Sequence, residues 1–384
     1  MALHESGQWI DAGEAGGVQE ALDALPDAGG TVHIPAGRWE IERTLEIALA
    51  ERQHLCLEGE GRASVLVNAG ASGDPLLSIA GAIGQWWPDL TITVRGISFV
   101  GNHNSGNALV IDHPNDTLVD ACFFIGHGGT AISLISKGTN ATVRDCWMRD
   151  CRRALSAENL HHLTMHGNQT RRLNEGQMQD EHVYIDRNCR EVRIVNNHFA
   201  YGDAEGIILD GTAQHVIANN TIEGFERCIY VLGSRDLTIN SNYLHGPHAV
   251  VLAGGCNGVT ITGNTMINNT EAAVTIEDAS GSGGHVISSN IIRKSVYAEI
   301  VEDTRQGGID LGASRDCVVA ANVLEDVTSD AAIIALGGGG HVISGNRVVR
   351  CAGEPVRLTC DAWCMEADNL TDRRPRDSDP PGKT

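Results

Sequence analysis

The sequence predicts an all-β solenoid, a single-stranded parallel β-helix of about 11–13 coils with an N-terminal helix/strand cap. Three observations carry this expectation. A motif of the form apolar-x-apolar-x-x-Asn-x-apolar recurs along the chain. A second, five-residue segment of period-two alternation lies between successive motif asparagines. Neither segment shows the 3.6-residue spacing of an amphipathic helix.

The first motif reads VRIVNNHF (192–199), LTINSNYL (237–244), VTITGNTM (259–266), HVISSNII (285–292), CVVAANVL (317–324) and HVISGNRV (341–348). Its asparagines are Asn168, Asn197, Asn220, Asn242, Asn264, Asn290, Asn322 and Asn346, and three earlier coils carry Ile97, Cys122 and Cys146 in that place. The step is 22 residues from Asn220 to Asn242 and again to Asn264, and 24 from Asn322 to Asn346. Strands repeating at this interval pair in parallel without crossover helices, and the asparagines are expected to stack as a buried amide ladder. Cysteine fits two ladder places as a small buried group.

The second strand reads ALSAE (154–158), HVYID (182–186), GIILD (206–210), CIYVL (228–232) and AVTIE (273–277). Residues two and four are apolar, as in Val183/Ile185, Ile207/Leu209 and Val274/Ile276. They share the inner face, so residues three and five point outward.

At the N-terminus, VQEALDAL forms a short amphipathic pattern and GGTVHIPAGRWEI (29–41) leads from a glycine turn into a strand. A solenoid needs a cap over its first coil. Residues 1–45 are assigned to that cap, 46–365 to the β-helix, and 366–384, polar and proline-rich, to a mobile tail. From 16 to 359 the chain resembles the right-handed parallel β-helix, or pectin-lyase-like, superfamily. That resemblance implies a carbohydrate-active protein, since the superfamily holds lyases, glycoside hydrolases, epimerases, transglycosylases and phage spikes.

The half-coil from the second strand to the asparagine is nearly constant, 13 residues for Ile207 to Asn220 and for Ile333 to Asn346. The other half ranges from 8 residues (Asn242 to Val250) to 19 (Asn290 to Ile309). Insertions concentrated on one side mark the binding side. The loops TRRLNEGQMQDE (170–181) and RKSVYAEIVEDTRQG (293–307) would wall a cleft there, with Arg171, Arg172, Glu175, Tyr297 and Arg305 as contacts.

Position five of the second strand carries carboxylates on three successive coils, Glu158, Asp186 and Asp210. Tyr184 and Tyr230 stand beside them at position three, and the preceding turns add Arg153, Glu181, His182, Asp203, Glu205 and Glu226. Adjacent coils are about 4.8 Å apart, so like charges meet and an acid/base pair becomes available. Asp186 and Asp210 would then serve as nucleophile and acid, or Glu158 and Asp210 as acid and base across a water. The tyrosines would stack on sugar rings. Arg153, Arg171, Arg172, His182, Tyr184, Glu205 and Tyr230 are the expected substrate contacts. The same acids would otherwise cap their own turns or hold Ca²⁺; no other cofactor or metal is expected. A lyase or uronate epimerase is the second reading, with Arg152, Arg153, Arg171, Arg172, His182 and Tyr184 supplying base and charge neutralisation. A non-catalytic glycan-binding solenoid is the third.

The chain also resembles the inulin fructotransferase group of the superfamily. The group's acid pair maps to Asp145, before a ladder position, and to the place of Ser156 on the following groove strand, where this chain has no acid.

The formal charge of −21 excludes a generic nucleic-acid surface. No run of about 18 apolar residues suggests a membrane span. The start MALHESGQWIDAGEAGG has no signal-like basic and apolar regions, and the 11 cysteines are odd in number and scattered, so reduced thiols in the cytoplasm are expected. Cys360-Asp-Ala-Trp-Cys364 is isolated in sequence from other ligands, and the glycines 337–340 open no helix, so neither a zinc nor a nucleotide site is assigned. His161, His162, His245 and His248 are read as turn residues. The expected partner is an oligo- or polysaccharide, and a homotrimer suits the shape.

Overall fold

A computed structural model describes residues 8–70, 73–82, 89–174, 180–277, 281–294 and 306–372. The chain divides into two compact units, Met1–Val216 and Ile217–Thr384. Both are built from the same coil.

One turn of the first unit shows the plan. Leu160–His166 lies in the first sheet, Gln169–Arg171 in the third, Val183–Ile185 in the second, and Arg193–Val195 returns to the first. The strand pairs among the described residues run parallel, as in Met165↔Ile194, Thr170↔Phe199 and Ile185↔Leu209. The second unit repeats this with Arg235–Asn240, Tyr243–His245 and His248–Ala253. About fourteen turns result. The count exceeds 11–13 because Gly29–Ile34 and Gly37–Ile41, placed in the cap by sequence, already pair with His54–Gly59 and Ser64–Asn68 as coil strands.

The alternation in the sequence becomes inside and outside. Val183, Ile185, Ile207, Leu209, Val274 and Ile276 are buried, and so are Cys122 and Cys146 at the ladder places. Each fully buried branched side chain contributes about 1.5–3 kcal/mol. In the third sheet Phe99 and Phe124 stack at 4.8 Å between ring centres.

The amide ladder forms as the spacing predicts. The Asn168 and Asn242 side chains donate to the Oδ1 of Asn197 and Asn264 at 3.0 Å, and Asn290 donates to Asn322 at the same distance. Each amide also reaches back to a carbonyl, as Asn264 Nδ2 does to Ile239 at 2.9 Å. The residue before each of these asparagines is left-handed, for example Asn196 at φ 57° and Ser241 at φ 55°. That one strained residue turns the chain from the first sheet to the third, and the ladder amide satisfies the backbone groups left at the bend.

The first and last described coils are also held by hydrogen bonds. In the first unit the helix Val18–Asp23 buries Val18, Ala21 and Leu22, as the amphipathic pattern predicts. Gln19 bonds both backbone groups of Glu46, at 3.0 and 2.9 Å, and so closes a strand edge with a side-chain amide. In the second unit Asn369 accepts from Asn346 Nδ2 at 3.0 Å, and Met365–Ala367 pairs with Val342–Ser344. Residues 366–372, assigned to the tail by composition, thus belong to a further coil; 373–384 lie outside the described residues. No described helix is long and apolar enough to cross a membrane.

Candidate active site

The carboxylate column forms on the second sheet of the first unit. Ala157 pairs with Ile185, and Ile185 with Leu209. The residues that follow, Glu158, Asp186 and Asp210, therefore occupy equivalent places on successive coils, about 4.8 Å apart per step. Glu158 is exposed, and Asp186 and Asp210 are half-buried.

Their partners differ. Asp186 Oδ1 accepts the Arg187 amide at 2.6 Å and lies 3.8 Å from its guanidinium. This is the turn-capping role, and Asp310 plays it again in the second unit by accepting the Gly312 amide at 2.8 Å. Asp210 instead accepts the Tyr184 hydroxyl at 3.0 Å, from the coil before it. Burial and this hydrogen bond push the Tyr184 phenol up to about 12, so at neutral pH it is a proton donor to Asp210.

Arg153 links the tyrosine to the preceding turn. Its guanidinium lies 5.3 Å from the Tyr184 ring centre. Its Nη2 is 2.5 Å from Glu181 and 3.4 Å from Asp180, while Arg152 contacts Asp180 at 3.0 Å. Burial raises the Glu181 carboxyl, with Arg153 opposing the shift. Glu158, Asp186, Asp210, Tyr184 and Arg153 thus occupy neighbouring places on the sheet, with Glu181 at its entry.

Other expected contacts lie elsewhere. His182 is fully buried, and burial lowers its imidazole to about 3. Its Nδ1 lies 2.5 Å from the Thr170 hydroxyl inside the coil. The expectation of an outward, substrate-binding His182 is therefore corrected: alternation holds only within the strand, and His182 precedes Val183, where the chain is still turning. Arg171 lies over the Tyr201 ring at 5.4 Å, and Arg172 is ion-paired with Asp203. Both arginines are engaged by the next coil. Glu205 is half-buried, and its carbonyl accepts the His182 amide at 3.0 Å. Tyr230, in the second unit, carries the Arg227 guanidinium 4.4 Å from its ring centre. Glu175, Tyr297 and Arg305 lie outside the described residues.

Two hollows include none of the column's carboxylates. One of about 390 Å³ in the second unit includes Glu271, Gln306, Asp310 and Asp330. One of about 210 Å³ in the first unit includes Phe123 and Trp147, with Arg62 4.5 and 4.6 Å from their ring centres.

A cluster that the sequence does not reveal is His341, Cys360 and Cys364, whose candidate donor atoms lie within 4.8 Å of one another. The signal was present as a Cys-x-x-x-Cys spacing, but the histidine lies one coil earlier.

No curated protein matches the chain. Solved structures do. The A-module of the mannuronan C-5 epimerase AlgE6 from Azotobacter vinelandii is 13% identical, with a TM-score of 0.60, covering 94% of this chain and 99% of that one. A DFA-IIIase variant solved with DFA-III, from Arthrobacter chlorophenolicus A6, is 12% identical, with a TM-score of 0.61 and coverage of 84% and 95%. The surface protein and adhesin PfbA of Streptococcus pneumoniae is 14% identical, with a TM-score of 0.58 and coverage of 91% and 100%. The fold is that of the right-handed, pectin-lyase-like β-helix proteins.

A family model described as NosD, periplasmic copper-binding protein, matches residues 91–275 and 172–304. This overturns the cytoplasmic expectation and points to a periplasmic or secreted protein. Cys122, Cys146, Cys151, Cys189, Cys228, Cys256 and Cys317 are buried core groups, so their unpaired state does not report the redox compartment. The two matches together span 91–304, more than half of the chain, and the chain belongs to the NosD family.

Proposed function

We propose that this protein cleaves or transfers glycosidic bonds in an oligo- or polysaccharide, with Asp186 and Asp210 as the reacting pair. The observation that carries this is the Tyr184–Asp210 hydrogen bond beside an in-register Asp186. Asp210 is held as an acceptor by a donor on the neighbouring coil, which suits a nucleophile. Asp186, one coil away, is within the roughly 5 Å of a retaining acid/base partner. Glu158 lies one coil further and would bind the sugar next to the scissile bond. Arg153 and the Tyr184 ring supply a platform for that sugar.

A second reading is favoured by one contact. Arg153 over Tyr184 combines a cation that would neutralise a uronate with a phenol positioned to move a proton, the parts that a lyase or epimerase needs. The two readings separate in one experiment. The protein is screened on neutral and uronate glycans, with and without a chelator of divalent ions. New reducing ends or transfer products, without the ultraviolet band of an unsaturated uronate, support the first. Appearance of that band, or C-5 inversion without cleavage, supports the second. Binding without turnover would overturn both.

A further inference from the structure

We propose that His341, Cys360 and Cys364 form a binding site for a soft metal ion, monovalent copper. The site lies in the second unit, includes none of the column's carboxylates, and is independent of the glycan reading.

The backbone brings the three residues together. Four consecutive glycines, Gly337–Gly340, all have positive φ. The turn 360–364 packs directly onto them: the amides of Asp361 and Ala362 donate to the Gly338 carbonyl at 3.1 Å, and the Gly340 amide donates to Trp363 at 2.7 Å. A Cβ on Gly339 would come within 2.6 Å of the Ala362 Cβ. Side chains at this run would hold the turn away, whereas glycines let it close. Met365 then donates to the His341 carbonyl at 2.8 Å and fixes the register. Cys360 and Cys364 end 2.6 Å apart, Sγ to Sγ, both half-buried, and the imidazole is fully buried beside them.

His341 has one ring nitrogen in use and one orphaned. Nδ1 accepts the Cys317 amide at 3.3 Å, and Nε2 is buried with no hydrogen-bond partner. His215 in the first unit repeats this arrangement, accepting the Val192 amide at 3.0 Å with its Nε2 also orphaned. The repeat therefore supplies the inward imidazole, and the two cysteines are the addition at 341. A metal ion at Nε2 shifts the ring proton to Nδ1 and gives up the Cys317 contact, which at 3.3 Å is longer than the usual range. A disulfide between Cys360 and Cys364 would leave Nε2 unpaired.

The donor set selects the ion. Two thiolates and an imidazole favour a soft cation. Three ligands fall one short of a closed structural zinc site. The paired sulfurs and the orphaned nitrogen fit Cu⁺. One Cu⁺ displaces the two thiol protons, so the loaded site carries one net negative charge and binding strengthens as pH rises.

The test is an anaerobic Cu(I) titration of the reduced, full-length protein against a colorimetric Cu(I) chelator, with X-ray absorption on the loaded form. One ion per chain is expected, with two sulfur neighbours and one nitrogen neighbour. Cys360→Ser and Cys364→Ser replace half-buried groups, so folding is preserved and checked by circular dichroism. Each should weaken binding by more than about 100-fold, beyond the 10–100-fold cost of an outer-shell change. His341→Gln should remove the nitrogen signal, while His215→Gln should leave copper binding unchanged. The assignment is overturned if no Cu(I) is retained, if retention is the same in Cys360→Ser/Cys364→Ser, if Zn²⁺ holds the site against Cu(I), or if the two sulfurs resist reduction as a disulfide.

Discussion

The Tyr184 hydroxyl donates to Asp210 Oδ2 at 3.0 Å, joining residues 26 apart in sequence across one step of the coil. Burial and the neighbouring carboxylates raise the phenol to about 12. A group whose folded value lies above its unfolded value of 10 stabilises the fold fully below pH 10, and that contribution is lost as pH rises toward about 12. Tyr184→Phe should remove the alkaline part of the stability curve attributable to this group. Thermal melts of both proteins across that range check it. The same variant should lower turnover by roughly tenfold, as the loss of one hydrogen bond to a charged group at about 1.4 kcal/mol or more implies.

The stereochemistry of the product follows from the spacing. A pair on adjacent coils is about 4.8 Å apart and predicts retention, whereas Glu158 with Asp210, two steps apart, predicts inversion. Proton NMR of the first-formed anomer is expected to show retention. Inversion would move the reaction to Glu158 and Asp210.

Acid should destabilise the protein well before its carboxylates titrate. Burial lowers His127, His215 and His285 to about 4 and His182 to about 3. Each is neutral inside the fold but takes a proton below its ordinary value when unfolded. The stability that they lend is present above about pH 6.5 and is lost as pH falls toward about 4. Melting temperature should drop through that interval, and His182→Gln should make the drop shallower.

The ladder should be costly to break. Asn290 donates to Asn322 at 3.0 Å and to the Ile261 carbonyl at 2.9 Å, and accepts from both the amide and side chain of Asn264. Asn290→Ala leaves several of these groups buried and unpaired, a loss of about 3 kcal/mol or more. Urea unfolding at constant slope measures it.

The winding was legible because its signals are local. Alternation assigns Ile207 and Leu209 to the interior from four residues, and the asparagine interval gives the coil length. The same reasoning aligned Glu158, Asp186 and Asp210. It failed at turns, where alternation stops: His182 faces Thr170 inside the coil. It was also blind to side-chain partners chosen in space. Nothing local says that Arg172 is paired with Asp203, or that Cys360 and Cys364 meet His341. Composition misassigned 366–372, because the single ladder residue Asn369 outweighs the polar sequence around it.

The most direct measurement is turnover by Asp186→Asn and Asp210→Asn on whichever glycan the native protein transforms, with melting temperature recorded in parallel. Each variant is expected to keep its fold and to lose activity by about 10²–10⁴-fold or more. Unchanged rates in both folded variants would contradict it.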